Sequence, residues 1–163
     1  MPEVEVVLGV TIICVGKLKE DYLKAACAEY IKRLGAYCKF SVVEVDEEFL
    51  TKGRDEGSIK RAEGARILAK IPNSSYVVVL EVVGKQLSSD DFAKHIDRTM
   101  SDGVGRIVFV IGGSLGLSQE VIQRADYSLS FSKMTFPHQL MRVVLLEQVY
   151  RALNVLHGGK YHK

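Results

Sequence analysis

Five short apolar runs alternate with helix-like segments along this chain, and that alternation limits the fold more than any other feature. Val10 to Val15, "VTIICV", is apolar without interruption, as expected of a strand covered on both faces. Lys39–Val45, Tyr76–Val83 ("YVVVLEVV"), Arg106–Ile111 and Tyr127–Phe131 read as four more strands. Between them the period changes to that of helices. In Lys19–Leu34, residues Leu23, Ala26, Cys27, Tyr30, Ile31 and Leu34 fall on one face. Ser58–Ile71 is a second helix, stopped by Pro72. A third starts at Ser88, with Asp91 as the acid of a short capping box, and a brief fourth starts at Ser118. Pro137 opens the last. The charged stretch Asp46–Gly57 is expected to be a mobile loop. Such alternation predicts an α/β domain, a mainly parallel sheet with helices on both faces. At 163 residues one domain is expected.

The last helix is apolar nearly all round. Leu140, Met141, Val143, Val144, Leu145, Leu146, Val149, Tyr150, Ala152, Leu153, Val155 and Leu156 leave little polar face. One side is expected on the sheet and the other against a second copy of the chain across a two-fold axis.

Composition excludes several classes. Hydrophobic residues make up 47% and charged residues 26%, as in soluble globular proteins. No stretch reaches the roughly 20 apolar residues that a membrane helix needs. "MPEVEVVLG" at the start lacks a basic segment and does not read as a signal peptide. Cys14, Cys27 and Cys38 have no paired spacing and fit reduced thiols in the cytoplasm. His138, His157 and His162 form no metal-ligand pattern with them, and His95 is expected on a helix surface. The net charge is only +2, so any nucleic-acid surface must be local. Lys17, Lys19, Arg142, Arg151, Lys160 and Lys163 are the positive candidates for it.

Parallel sheets bind ligands at the carboxyl ends of their strands. The loops to inspect are Glu81–Ser88, Gly112–Leu117 and Ser132–Pro137, and the last two stand out. "IGGSLGLS" ends the fourth strand, and its glycine pair is either a tight turn or a close approach to a ligand. It is not the first-strand GxGxxG of a dinucleotide site, since "VGKLKED" occupies that place. "SFSKMTFPH" follows the fifth strand. There Ser130, Ser132 and Thr135 interleave with Phe131, Met134 and Phe136, as in an apolar pocket with polar anchors. Thr135 either caps the helix or faces a ligand.

Taken together, "GKQLSSDDFA", "FVIGGSLGLS", "LSFSKMTFPHQLMRVVLLEQVYRA" and the terminal "YHK" resemble the ribosomal RNA large-subunit methyltransferase H family. That family belongs to the SPOUT class of S-adenosylmethionine-dependent RNA methyltransferases. The resemblance covers Val10 to Lys163, leaving residues 1–9 as an extension without an assigned role. Lys160 stands where the family often has proline. The resemblance implies a C-terminal trefoil knot, a cytoplasmic homodimer and no metal. It implies methylation of N3 of a pseudouridine in 23S rRNA, on the assembled 70S ribosome. Leu80, Gly112, Phe131, Ser132, Lys133, Met134, Thr135 and Phe136 match its cofactor-binding positions. His138, Arg142, Tyr161 and His162 are the candidates for the chemistry. His162 is a possible proton acceptor, and Arg142, one turn after His138, a possible hand for a phosphate or an anionic base edge.

Overall fold

A computed structural model describes residues 7–51 and 53–159. Its strands are β1 (Gly9–Val15), β2 (Lys39–Val45), β3 (Tyr76–Gln86), β4 (Arg106–Ile111) and β5 (Tyr127–Ser130). The helices are α1 (Asp21–Leu34), α2 (Glu56–Lys70), α3 (Ser89–Ser101), α4 (Gln119–Arg124) and α5 (His138–Leu156). All strand pairs are parallel, in the order β2-β1-β4-β3-β5. The expected α/β class therefore stands, and element by element the chain follows the alternation read from the sequence.

Both faces of the sheet are covered because β1 and β4 carry apolar side chains in both directions. Val10, Ile12 and Cys14 point into one core with Ile107 and Phe109, closed by Cys27 and Leu34 of α1, Phe92 and Ile96 of α3, and Leu145, Leu146 and Val149 of α5. Ile13 and Val15 point the other way, onto Ile67 of α2 and Val121 of α4. Leu8 is buried in the first core and Gly9 opens β1, so packed structure begins inside the first nine residues.

Caps explain the helix starts. Ser88 Oγ accepts the Asp91 N–H at 3.0 Å, and Asp55 caps α2 by accepting the Ser58 N–H at 2.6 Å. α5 lies between α1 and α3. Much of its apolar circumference is thus covered within one chain, more than its sequence alone suggested.

Three local expectations are revised. The segment between β2 and α2 is anchored at Glu48. Glu48 accepts from Arg54 and Arg66, and its own N–H donates to buried Glu63 at 3.1 Å. His95 is not a surface residue. It is half-buried, with Nε2 2.9 Å from Tyr76 Oη and its ring centroid 4.3 Å from that of Tyr127. β3 does not stop at Val83. Leu129 of β5 registers with both Leu80 and Lys85, so residues 81–84 bow around β5. Gly84 makes the bow possible, because a Cβ there would lie 2.8 Å from the Leu129 carbonyl carbon and 2.9 Å from that of Ser128.

Candidate active site

The bow of β3, the turn after β4 and the segment after β5 meet at the carboxyl edge of the sheet. Between them lies an open cleft of about 590 Å³, within the range of about 300–1,000 Å³ usual for small-molecule sites. Leu80 and residues 81–83 form one wall, Ile111 to Ser114 with Gly116 and Leu117 the second, and Phe131, Ser132 and Met134 to His138 the third.

Each wall has a local cause. After β4 the chain reverses through Gly113 and Gly116, which pair as an isolated bridge with Gly116 N donating to Gly113 O at 3.0 Å. Gly116 has φ of +89°, a conformation that side chains rarely tolerate. A Cβ on Gly112 would approach Leu117 Cδ2 at 2.9 Å and Gly116 O at 3.1 Å. The glycine pair is therefore required by the turn itself. Its bareness toward the cleft follows from that. After β5, Ser130 Oγ donates to the carbonyls of Val82 and Ser132 at 2.9 and 3.0 Å. Ser132 Oγ accepts the Met134 N–H at 3.0 Å. These bonds tie the third wall to the bow of β3.

Thr135 does not cap α5. No side chain caps that helix, whose N-cap is Pro137, and Thr135 is exposed toward the cleft. Of the eight cofactor positions named from the sequence, Leu80, Gly112, Phe131, Ser132, Met134, Thr135 and Phe136 line the cleft, and Lys133 does not. Glu81, from the first of the strand-end loops, also lines it, and sequence reasoning missed Ile111, Leu129 and Met141. The ends of β4 and β5 could have signalled Ile111 and Leu129, because the apolar runs read as those strands stop there.

His138 stands at the cleft rim, in the first turn of α5. Burial pushes its pKa below the ordinary 6.5, Glu47 opposes this, and Arg142 and Lys19 add to it. Neutral imidazole is thus favoured, with a lone pair to offer. Arg142 is placed otherwise than a substrate hand would be. Only 4% exposed, it is bonded to Glu44 and to the carbonyl of Gly16, away from the cleft lining. Tyr161 and His162, with Lys160 and Lys163, lie outside the described residues. Of the remaining basic candidates, Lys17 and Lys19 are exposed, while Arg151 pairs with Glu147 at 2.8 Å. Among the described residues no cluster of His, Cys, Asp or Glu could hold a metal ion. The cysteines are free and buried, with the Cys14 thiol pushed up to about 12 by burial.

The cleft suits a ligand with one flat apolar part and one polar part. Leu80, Phe131 and Phe136 supply apolar flanks, Ser132, Thr135 and Ser114 hydroxyls, and the bare glycine turn backbone groups. S-adenosylmethionine has this character, so the residues present fit it.

Comparison with known proteins agrees. A family model described as a predicted SPOUT methyltransferase matches residues 8–162. A protein of Carboxydothermus hydrogenoformans named ribosomal RNA large subunit methyltransferase H is 52% identical over 160 residues, covering 96% of this chain and 100% of that protein. One of the same name from Clostridium novyi is 54% identical over 159 residues, again covering 96% of this chain and 100% of the relative. With a parallel α/β sheet, a β3 bow wrapped around β5 and a cleft built from the matching loops, the chain belongs to the ribosomal RNA large subunit methyltransferase H family of SPOUT methyltransferases, which use S-adenosylmethionine.

Proposed function

We propose that this chain methylates N3 of a pseudouridine in 23S rRNA, acting as a cytoplasmic homodimer on the assembled 70S ribosome. The observation that carries the reading is the cleft, where three matching loops meet with His138 at the rim. The names and near-complete coverage of the relatives support the ribosomal substrate.

When bound, the cofactor supplies an activated methyl group on a sulfonium, so the protein's task is alignment and proton removal. Leu80, Phe131, Phe136 and the turn at Gly112 would flank it, with Ser132 and Thr135 as polar anchors. N3 of the base is an imide nitrogen and attacks well only as its proton leaves. His138 accepts that proton at its unprotonated ring nitrogen and becomes imidazolium. Tyr161 and His162 of the tail complete the substrate side. They orient the base and offer a second proton acceptor.

Several observations support a dimer around this site. Val82, Val83, Met134 and Leu140 are large, apolar and exposed, at 45%, 88%, 74% and 38%. Three of them line or edge the cleft and the fourth begins α5. Lys17 and Lys19 give only a small basic area, which supports recognition of a folded ribosomal surface over naked RNA.

The test is transfer of labelled methyl from S-adenosylmethionine to 70S ribosomes, to free large subunits and to protein-free 23S rRNA, with the product nucleoside identified by mass spectrometry. Label on N3 of a pseudouridine, strongest with 70S, is the expected result. Label on another base would remove the site assignment, and none on any substrate would remove the function.

A further inference from the structure

Arg142 joins three elements. Its Nη1 donates to Glu44 Oε2 at 2.8 Å, and its Nη2 donates to the Gly16 carbonyl at 3.3 Å. Glu44 is the penultimate residue of β2, Gly16 follows the end of β1, and Arg142 lies in the second turn of α5. The Arg142 side chain is 5% exposed and that of Glu44 36%. Nε of Arg142 is buried and has no hydrogen-bond partner among the described residues. A guanidinium committed on two sides in this way cannot also grip a phosphate through its fork.

A buried ion pair is a poor source of net stability, because desolvation offsets most of the attraction. What it does supply is a fixed place for the helix that carries it. Here the fixed object is the mouth of α5, which has no side-chain cap. His138 is four residues before Arg142 and on the same side of the helix.

We propose that Glu44 and Arg142 form a positioning pair for methyl transfer: Glu44 holds the guanidinium, the guanidinium holds the α5 mouth, and together they set the place and the charge surroundings of His138. This rests on His138 being the proton acceptor of the proposed reaction. Glu44 has no such role in any reading from the sequence.

The groups acting on His138 come from every side. Glu47 after β2 favours its protonation, while Lys19 before α1 and Arg142 on α5 oppose it. Beneath Arg142 the Cys14 thiol stays neutral, so Glu44 is the anion that balances the guanidinium. Opposite shifts follow. Glu44→Gln leaves the guanidinium uncompensated and makes His138 harder to protonate. Arg142→Met removes the opposing charge and makes it easier. A guanidinium that touched substrate would lower the rate in both variants without moving His138 in opposite directions.

The experiment titrates labelled histidines of the full-length protein by NMR in the wild type, Glu44→Gln, Arg142→Met and the double variant. Turnover on 70S ribosomes is followed against pH in parallel. His138 is expected to titrate lower in Glu44→Gln, higher in Arg142→Met and near wild type in the double variant, with the acid limb of kcat following it. Loss of the clamp is expected to lower the plateau kcat by about ten- to a hundredfold in Arg142→Met and in the double variant, with cofactor KM little changed. The double variant also guards against misfolding, since removing both members of a buried pair is far milder than removing one. An unmoved His138 in both single variants, or wild-type kcat in the double, would overturn the proposal. If the wild type itself methylated nothing, the functional reading would fail, while the NMR titration would still decide whether the pair governs His138.

Discussion

His95 and His138 both titrate below the ordinary histidine value of 6.5, chiefly because burial disfavours the charged ring. Below 6.5 the unfolded chain therefore binds more protons than the folded one. Stability from these two residues is complete above 6.5 and is lost as pH falls through their lower folded values. Glu63 acts oppositely. Burial raises its pKa above 4.5, so its contribution is present below 4.5 and lost as pH rises through the folded value. The clean measurement is therefore a difference. Between about pH 7.5 and pH 5.5 the urea midpoint of the wild type should fall more than that of His95→Gln. Equal slopes would mean that His95 is no more buried than in the unfolded chain. Gly84 gives a second test at this scale. Alanine there must push against the backbone of Leu129 and Ser128 at 2.8–2.9 Å, and neither can yield like a flexible side chain. Gly84→Ala should cost about 1–3 kcal/mol by chemical denaturation. An unchanged midpoint would show that the bow of β3 has slack. Neither residue was legible in advance. The environment of His95 depends on Tyr76 and Tyr127, and that of Gly84 on β5, all distant in sequence.

Elements were more legible than residues, because periodicity is a local property. The runs read as β2 and β4 keep their bounds, and every helix appears within a few residues of its expected start. The end of β3 was misplaced for a physical reason. Gly84, Lys85 and Gln86 lack the alternation of a strand, yet Lys85 and Gln86 pair with Leu129 and Ser130. That pairing depends on β5, which is distant in sequence. The two loops proposed to hold the cofactor were legible as glycine-rich and hydroxyl-rich turns at strand ends, but the reason for Gly112 was not. Its missing side chain makes room for Leu117 and Gly116 of its own turn. Gly112→Val should therefore weaken S-adenosylmethionine binding by distorting the turn, not by filling the cleft. Cofactor affinity and melting temperature should fall together, read by calorimetry and thermal denaturation. A variant with wild-type stability and no binding would show that the residue faces the ligand directly.

At the scale of the whole molecule, the sheet order comes from contacts that no local pattern encodes, and the trefoil knot is what membership of the SPOUT family implies. The proposed second copy of the chain bears on the tail. α5 ends at Leu156, and Gly158 turns the chain with φ of +80° before residue 160, where the described structure stops. If Tyr161 and His162 serve the site, a neighbouring subunit seated on Val82, Val83, Met134 and Leu140 would bring one chain's tail to the other's cleft. Removing Tyr161 to Lys163 should then leave folding and cofactor affinity nearly unchanged. Methyl transfer should fall by about a hundredfold, equivalent to roughly 2.7 kcal/mol of transition-state stabilisation. Mixed dimers decide whose site the tail serves. One parent lacks the tail. The other carries Thr135→Trp, which places bulk on an exposed cleft wall, with loss of cofactor binding checked by calorimetry. Alone, the tail-less parent should keep about a hundredth of the wild-type activity and the Thr135→Trp parent should methylate little. After subunit exchange, each mixed dimer pairs one intact cleft with one intact tail from the opposite subunit. Recovery of up to about half of the wild-type activity per mixed dimer is expected, since one composite site of two is whole. No recovery, with exchange verified by native mass spectrometry, would assign the tail to its own subunit's cleft or remove it from catalysis.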